Sequence, residues 1–478
     1  MTAAHYERLS QLDNSFLVYE DAQPTCAMHV ASTQIHEAAP LRAADGSIDV
    51  ERIERYVLSR LDRIPRYRQK LAFTPFEGHP VWIDDPAFNI RYHVRHTRIP
   101  RPGSERQLKR MVGRIFSQRL DREKPLWELW VIEGLEVDRF AILSKVHHCM
   151  IDGVSGAELI AELLTAEPQA DPEPPERWKP RPAPAALGLG VGEAGRLLRA
   201  PFELGGALRD LAIDAGGVRH QLGERLSALR SLASESGLPT PLPFNRPVGP
   251  HRRVDWMPMS LEEIRGVRAR LGGTVNDVVL ATATGALARF LSRERGVDLA
   301  KTCVRVMTPV SVRTKEQKGA LGNRVSAWTV ELPVAEGDPV KRLDLLRRQT
   351  EHLKETKQAL GAETLTRLGE WTGSGLLALG ARLANQGTPF NTVITNVPGP
   401  RTPLYLLGSR MLEIHPHVPL AGTLGLGIAL FSYDETLSCG FSADWDLVPD
   451  LHQLVIATDE AFAELRAAAA ASEGRESR

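Results

Sequence analysis

Hydrophobic and polar positions repeat with two different periods through the first 165 residues. Phe88 to Thr97 reads as a strand. After Gly103, Leu108, Met111, Val112 and Ile115 recur on one face, which predicts a helix from Glu105 to about Leu120. Two apolar runs, Trp127–Glu133 and Arg139–Val146, flank Gly134–Asp138 and predict a β-hairpin. Beyond the second run, Leu159, Ile160, Leu163 and Leu164 repeat at helical spacing. Ser155–Glu158 has the S-x-x-E form of a capping box, so that helix is expected to start near Ser155.

The pattern breaks at Glu167–Pro184, where Pro, Glu and Arg dominate as in a linker. Leu187–Ser236 is helix-prone and amphipathic, with Arg196, Arg199, Arg209, Arg219, Arg225 and Arg230. Two readings stay open there: helices packed across a domain seam, or a membrane-surface contact. Alternation resumes near Val254, and Val279, Ala283, Leu287 and Leu291 predict a helix after Asn276-Asp277. Strands are expected at Cys303–Met307, Val325–Leu332, Gly425–Ser432 and Leu437–Asp444, and a last helix from Pro449 to Ala470. The apolar run Val418–Tyr433 carries Pro419, Gly422, Gly425 and Gly427, which suits two buried strands joined by a turn. These elements predict an α/β fold. An N-terminal lobe (1–166) is joined by a linker with crossover helices (167–250) to a C-terminal lobe (251–465), with a frayed tail (466–478).

Charge then narrows the function. In 478 residues, 59 Lys+Arg balance 59 Asp+Glu, so no single-sign field exists to hold nucleic acid. Cys26, Cys149, Cys303 and Cys439 form no CxxC pair, which argues against a disulfide scaffold or zinc ribbon and for a reducing compartment. The N-terminal residues lack the apolar core of a secretory signal, and Val418–Tyr433 is too short to span a bilayer. A cytoplasmic protein, at most peripheral to a membrane, is expected.

Several motifs have weak chemistry. Gly190–Gly195 matches GxGxxG but sits in a linker with no strand ahead of it. His93 and His96 would point to opposite faces of a strand and lack a third ligand, so two surface histidines are expected there and no metal site. The concentrated signal is His147-His148-Cys149-Met150-Ile151-Asp152-Gly153. It follows an apolar strand and precedes a helix, whose N-terminal dipole disfavours an imidazolium and leaves a neutral imidazole able to take a proton. Adjacent histidines in an extended segment point to opposite sides, so one can face a channel while the other packs.

The motif HHxxxDG at His147–Gly153 resembles the signature of CoA-dependent acyltransferases. The surroundings are similar to the bacterial wax ester synthase/diacylglycerol acyltransferase family. Leu9–Asp13 and Met28-His29-Val30 resemble that family's opening, and Pro125-Leu126-Trp127-Glu128 its PLW motif. Phe244–Pro247, Gly249–Arg253, Asn276-Asp277-Val278, Pro309–Arg313, Gly322-Asn323 and Asn396–Pro400 follow in order. Ala27, Asn89 and Thr395 depart from the usual residues, and none touches the histidine motif.

The resemblance implies two chloramphenicol-acetyltransferase-like lobes with an active-site channel at their seam. It implies acyl transfer from acyl-CoA to diacylglycerol, a long-chain alcohol, or both, without a cofactor and at a membrane or lipid-droplet surface. His148 would be the general base and His147 its support. Asp152, with Gly153 permissive beside it, would pair with Arg313 across the seam rather than relay protons. Asn276 is open between an N-cap and an oxyanion donor, and Trp127 between core filling and, with Pro125 and Leu126, channel lining. Asp277 would support the site. A carrier-protein-dependent condensation enzyme and a non-catalytic lipid-binding protein of the same fold are the alternatives.

Overall fold

A computed structural model describes residues 6–150, 162–168, 178–184, 189–190, 193, 239–311, 325–355 and 389–476. The predicted crossover helices and the helix after residue 151 therefore lie almost wholly outside the described residues.

Fifteen described strands form three sheets. The first six-stranded sheet has the order β12 (Tyr405–Leu406), β13 (Ser409–His417), β2 (His29–Glu37), β7 (Arg139–His147), β6 (Trp127–Leu135) and β5 (Val94–Arg98). The second has the order β10 (Val325–Leu332), β9 (Val304–Ser311), β11 (Thr392–Val397), β14 (Leu426–Tyr433), β15 (Thr436–Asp444) and β8 (Arg252–Ser260). A small sheet joins β1 (Glu7–Arg8), β4 (Pro80–Asp84) and β3 (Gln69–Phe73). The predicted hairpin is present as β6 and β7, paired antiparallel.

Helices α1 (Gln11–Ala22), α2 (Val50–Arg60), α3 (Ile90–His93) and α4 (Glu105–Phe116) belong to the first half; α5 (Leu261–Leu271), α6 (Val275–Arg295), α7 (Pro339–Glu355) and α8 (Leu451–Glu476) belong to the second. Helix α4 buries Leu108, Val112, Ile115 and Phe116 and starts with a Ser104–Gln107 capping box. Helix α6 is the core of the second lobe, with Val279, Ala283, Leu287 and Leu291 all buried. Its left-handed Gly296 supplies the stop.

The structure corrects four expectations. Phe88–Thr97 is not one strand: Asn89 Oδ1 accepts from Arg91 N–H (3.0 Å) and caps the short α3 before β5 begins. Val418–Tyr433 holds one strand rather than two, because β13 ends at His417 and residues 418–425 are a loop. His93 is buried, 1 % exposed, and stacked on Trp127 with its Nδ1 at 2.8 Å from the Trp127 carbonyl. Finally, β12 and β13 come from the second half of the chain yet complete the first sheet, β13 pairing with β2 from Ala31–His417 to His36–Met411. A boundary at residue 250 therefore does not divide the two sheets.

The halves are also joined at buried polar contacts. Arg252 on β8 donates to the Thr25 carbonyl (2.8 Å), and its backbone N–H to Ser117 Oγ (2.8 Å). Lys109 on α4 pairs with Asp255 at 2.6 Å, and Thr33 Oγ1 lies 2.8 Å from His417 Nε2. At the Asn396–Pro400 motif, the Gly399 N–H donates to Ser432 Oγ (2.9 Å). A Cβ there would stand 2.1 Å from the Ser432 carbonyl, so this turn requires glycine.

Candidate active site

Strand β7 delivers the histidine pair. Its last residue, His147, stands opposite His29 of β2 and donates its backbone N–H to the Leu126 carbonyl at 2.9 Å. The chain then turns into a single 3-10 turn, His148–Met150, and the His148 N–H is held by the Met28 carbonyl (2.8 Å). Strict alternation of side chains ends with the strand, and both rings meet helix α1.

The His147 ring is buried, 1 % exposed. The Cys149 N–H donates to its Nδ1 (3.2 Å), which leaves the ring proton on Nε2. Nε2 points toward the Glu20 carboxylate at 3.6 Å. The half-buried His148 ring stacks on Phe16, with centroids 4.0 Å apart. Burial, and secondarily the neighbouring His147, push its pKa down from 6.5 to about 4. The ring is therefore neutral near pH 7, as expected, but burial is the reason among the described residues; the helix expected to supply a dipole lies outside them.

Glu20 carries an unusual load for a helix residue that is 2 % exposed. Oε1 accepts from Met28 N–H (3.2 Å), while Oε2 accepts from Arg122 Nε (3.1 Å) and pairs with Arg119 (3.1 Å). Burial alone would raise its pKa, but the contacts with His147 and Arg122 outweigh it and hold the carboxyl well below the usual range. Ser10 caps α1 by accepting from Asp13 N–H, which sets Phe16 and Glu20 one turn apart toward the histidines.

Cys149 is fully buried, its Sγ 3.0 Å from His147 Nδ1, and burial pushes its thiol pKa well up, an environment that opposes a nucleophilic role. Pro125, Leu126 and Trp127 are buried. Trp127 donates from Nε1 to the Tyr67 carbonyl (2.8 Å), so of its two readings core filling is the one that the packing carries. Thr274, not Asn276, is the N-cap of α6. Asn276 is half-buried in the first turn, while Asp277 accepts from Thr274 N–H (2.7 Å) and Thr350 Oγ1 (2.8 Å) and so holds α6 and α7 together. Asp152, Gly153 and Arg313 lie outside the described residues. In the GxGxxG segment, the Glu193 carboxylate accepts from Thr74 Oγ1 (2.7 Å) and Phe76 N–H (2.9 Å), an anchoring contact.

Phe16, Glu20 and Arg122 were not singled out from sequence. The available signal was the run Leu9–Asp13 with Met28-His29-Val30, which brackets α1.

A family model for the wax ester synthase/diacylglycerol acyltransferase catalytic domain matches residues 9–279, and one for the C-terminal domain of that family matches 321–466. A Mycobacterium tuberculosis protein named for diacylglycerol O-acyltransferase activity is 34% identical over 97% of this chain and 90% of its own. The solved wax ester synthase/diacylglycerol acyltransferase of Marinobacter aquaeolei VT8 superposes with a TM-score of 0.69 at 24% identity, covering 97% of this chain and all of that one (100%). The first condensation domain of the calcium-dependent antibiotic synthetase shares the fold, with a TM-score of 0.59 at 16% identity over 98% and 97% of the two chains.

Proposed function

This chain belongs to the wax ester synthase/diacylglycerol acyltransferase family and is an acyltransferase, and on that premise we propose that it moves a fatty acyl group from acyl-CoA to the hydroxyl of diacylglycerol or of a long-chain alcohol. The observation that carries the chemistry is the neutral, half-buried His148 at the end of β7, stacked on Phe16 beside the buried His147.

An alcohol is far too weakly acidic to ionise near pH 7, so attack on a thioester needs an acceptor for its proton. His148 takes that proton as the acceptor oxygen bonds to the thioester carbon. The tetrahedral adduct collapses with cleavage of the C–S bond, and the proton passes from His148 to the departing thiolate. No acyl-enzyme forms, consistent with the burial of Cys149. His147 holds its neighbour rather than exchanging the proton. Asn276 is an oxyanion donor in this reading. The reaction takes place in a channel between the lobes, at the surface of a membrane or lipid droplet. No helix among the described residues is long and apolar enough to cross a membrane.

Purified protein incubated with palmitoyl-CoA, hexadecanol and dioleoylglycerol should release CoA and form wax ester, triacylglycerol, or both, and the His148→Ala variant should form neither. Turnover only with a carrier-protein thioester would favour the condensation-type reading instead.

A further inference from the structure

Helix α1 meets both histidines through one face, and its Glu20 contacts the pair by two separate routes. The first is direct: the carboxylate lies 3.6 Å from His147 Nε2, on the side where the Cys149 N–H has placed the ring proton. The second runs through the backbone of one residue. Met28 gives its N–H to Glu20 (3.2 Å) and its carbonyl to the His148 N–H (2.8 Å), so the side chain that faces the first histidine also fixes the backbone of the second. We infer that Glu20 is a positioning residue of the acyl-transfer site, acting through His147 and the Met28 backbone on the orientation of His148.

This inference rests on the reading of His148 as the base. It explains why a carboxylate is buried on a helix face that could have carried an aliphatic residue. A buried charge is costly unless paired, and here Arg119 and Arg122 hold the oxygen that faces His147. Packing alone would be served more cheaply by Leu or Met at this position. The same face carries Phe16, whose ring covers His148, so one helix turn sets both imidazoles.

The test uses the full-length protein with palmitoyl-CoA and dioleoylglycerol or hexadecanol. E20Q keeps the side-chain shape and an oxygen for the Met28 N–H but removes the charge. Its kcat should fall roughly tenfold with KM for both substrates within about twofold. In an H147A background, E20Q should change kcat by less than about twofold, since the ring through which it acts is gone. Wild-type kcat in E20Q or equal fold losses in both backgrounds would overturn the assignment. If E20Q does not fold, E20D, whose carboxylate falls one methylene short of both His147 and the Met28 N–H, is judged by the kcat criterion alone. H148A separates the two levels. If H148A keeps wild-type kcat, the parent reading fails, whereas an inactive H148A beside a fully active E20Q overturns this inference alone.

Discussion

Acidification should unfold this protein through buried histidines outside the His147–His148 pair. His36, His93 and His417 are all buried, and burial depresses their pKa from 6.5 to about 3, 4 and 3 respectively. In the unfolded chain each takes a proton as pH falls through about 6.5, while the folded protein refuses it. Stability is therefore fully present above pH 6.5 and is lost progressively below it, until the folded pKa is reached. At pH 5.0 each ring costs about 2 kcal/mol relative to neutral pH, since one pKa unit corresponds to about 1.4 kcal/mol. Three such rings sum to about 6 kcal/mol, a large fraction of the roughly 5–15 kcal/mol that holds a folded domain together.

Urea denaturation followed by tryptophan fluorescence at pH 7.5 and 5.0 reads this directly. The unfolding midpoint should drop sharply at pH 5.0. His36 is the ring to remove. It lies 5.4 Å from the Phe140 ring, and its Nε2 is 3.3 Å from Gln34 Oε1. His36→Leu keeps an apolar group of similar size and deletes one titration, so the pH-dependent loss should shrink by about 2 kcal/mol even if neutral-pH stability falls. A midpoint unchanged between pH 7.5 and 5.0, or an undiminished loss in His36→Leu, would refute the assignment of these rings as neutral in the folded state.

At the site, His148→Ala should lower kcat by at least about a hundredfold while leaving the KM for palmitoyl-CoA nearly intact, with His147→Ala milder; steady-state kinetics with the reverse order would relocate the base. Because the His148 pKa is held at about 4, kcat/KM in short assays should stay flat from pH 8 to about 5 and fall below that as the ring protonates, whereas a limb near 6.5 would mean that its burial does not act on the free enzyme. Arg252→Ala removes a buried guanidinium that bonds the Thr25 carbonyl across the halves, bonds the nearby Gly249 carbonyl, and lies 3.8 Å from Asp444. A loss of about 3–5 kcal/mol is expected from melting curves, with Arg252→Lys a poor rescue because it lacks the planar fork. Residues 1–250 expressed alone should aggregate, since β2 would lose its partner β13 and present an open edge; a soluble monomer with native-like circular dichroism would contradict that role for the exchanged strand.

Local periodicity made the hairpin and the helices α4 and α6 legible, because each buries a face whose spacing the sequence displays. It could not show that Met411–His417 would leave its own half to pair with β2, since strand pairing depends on distant residues while the pattern reports only which side chains are apolar. The boundary of α3 was hidden by the apolar reading of Phe88–Thr97, where the Asn89 side chain overrides strand propensity by capping a turn. The histidine pair was legible as chemistry, but its support was not. Helix α1 buries Asp13, Asn14 and Glu20, and a polar face on a helix reads from sequence as a solvated one. Only the contacts with Met28, Arg122 and His147 reveal that this face is turned inward.

Those contacts also explain how an anion can sit beside a base that must stay neutral. A bare carboxylate 3.6 Å from His147 would favour the imidazolium and draw a proton onto the histidine pair. Arg122 bonds Glu20 and also pairs with Asp21 at 2.6 Å, while Arg119 adds a second cation, so the two acids and two arginines cancel in charge. At the site Glu20 supplies a carboxylate that faces the ring-proton side of His147 and an acceptor for the Met28 N–H. Three residues beyond Arg122 the chain enters Pro125-Leu126-Trp127, and the Leu126 carbonyl accepts the His147 N–H. A single stretch of chain therefore neutralises the carboxylate at one end and fixes the histidine strand at the other. Changes at Arg119 or Arg122 should therefore reach the chemistry through charge, and changes at Pro125 or Leu126 through the position of the histidine strand.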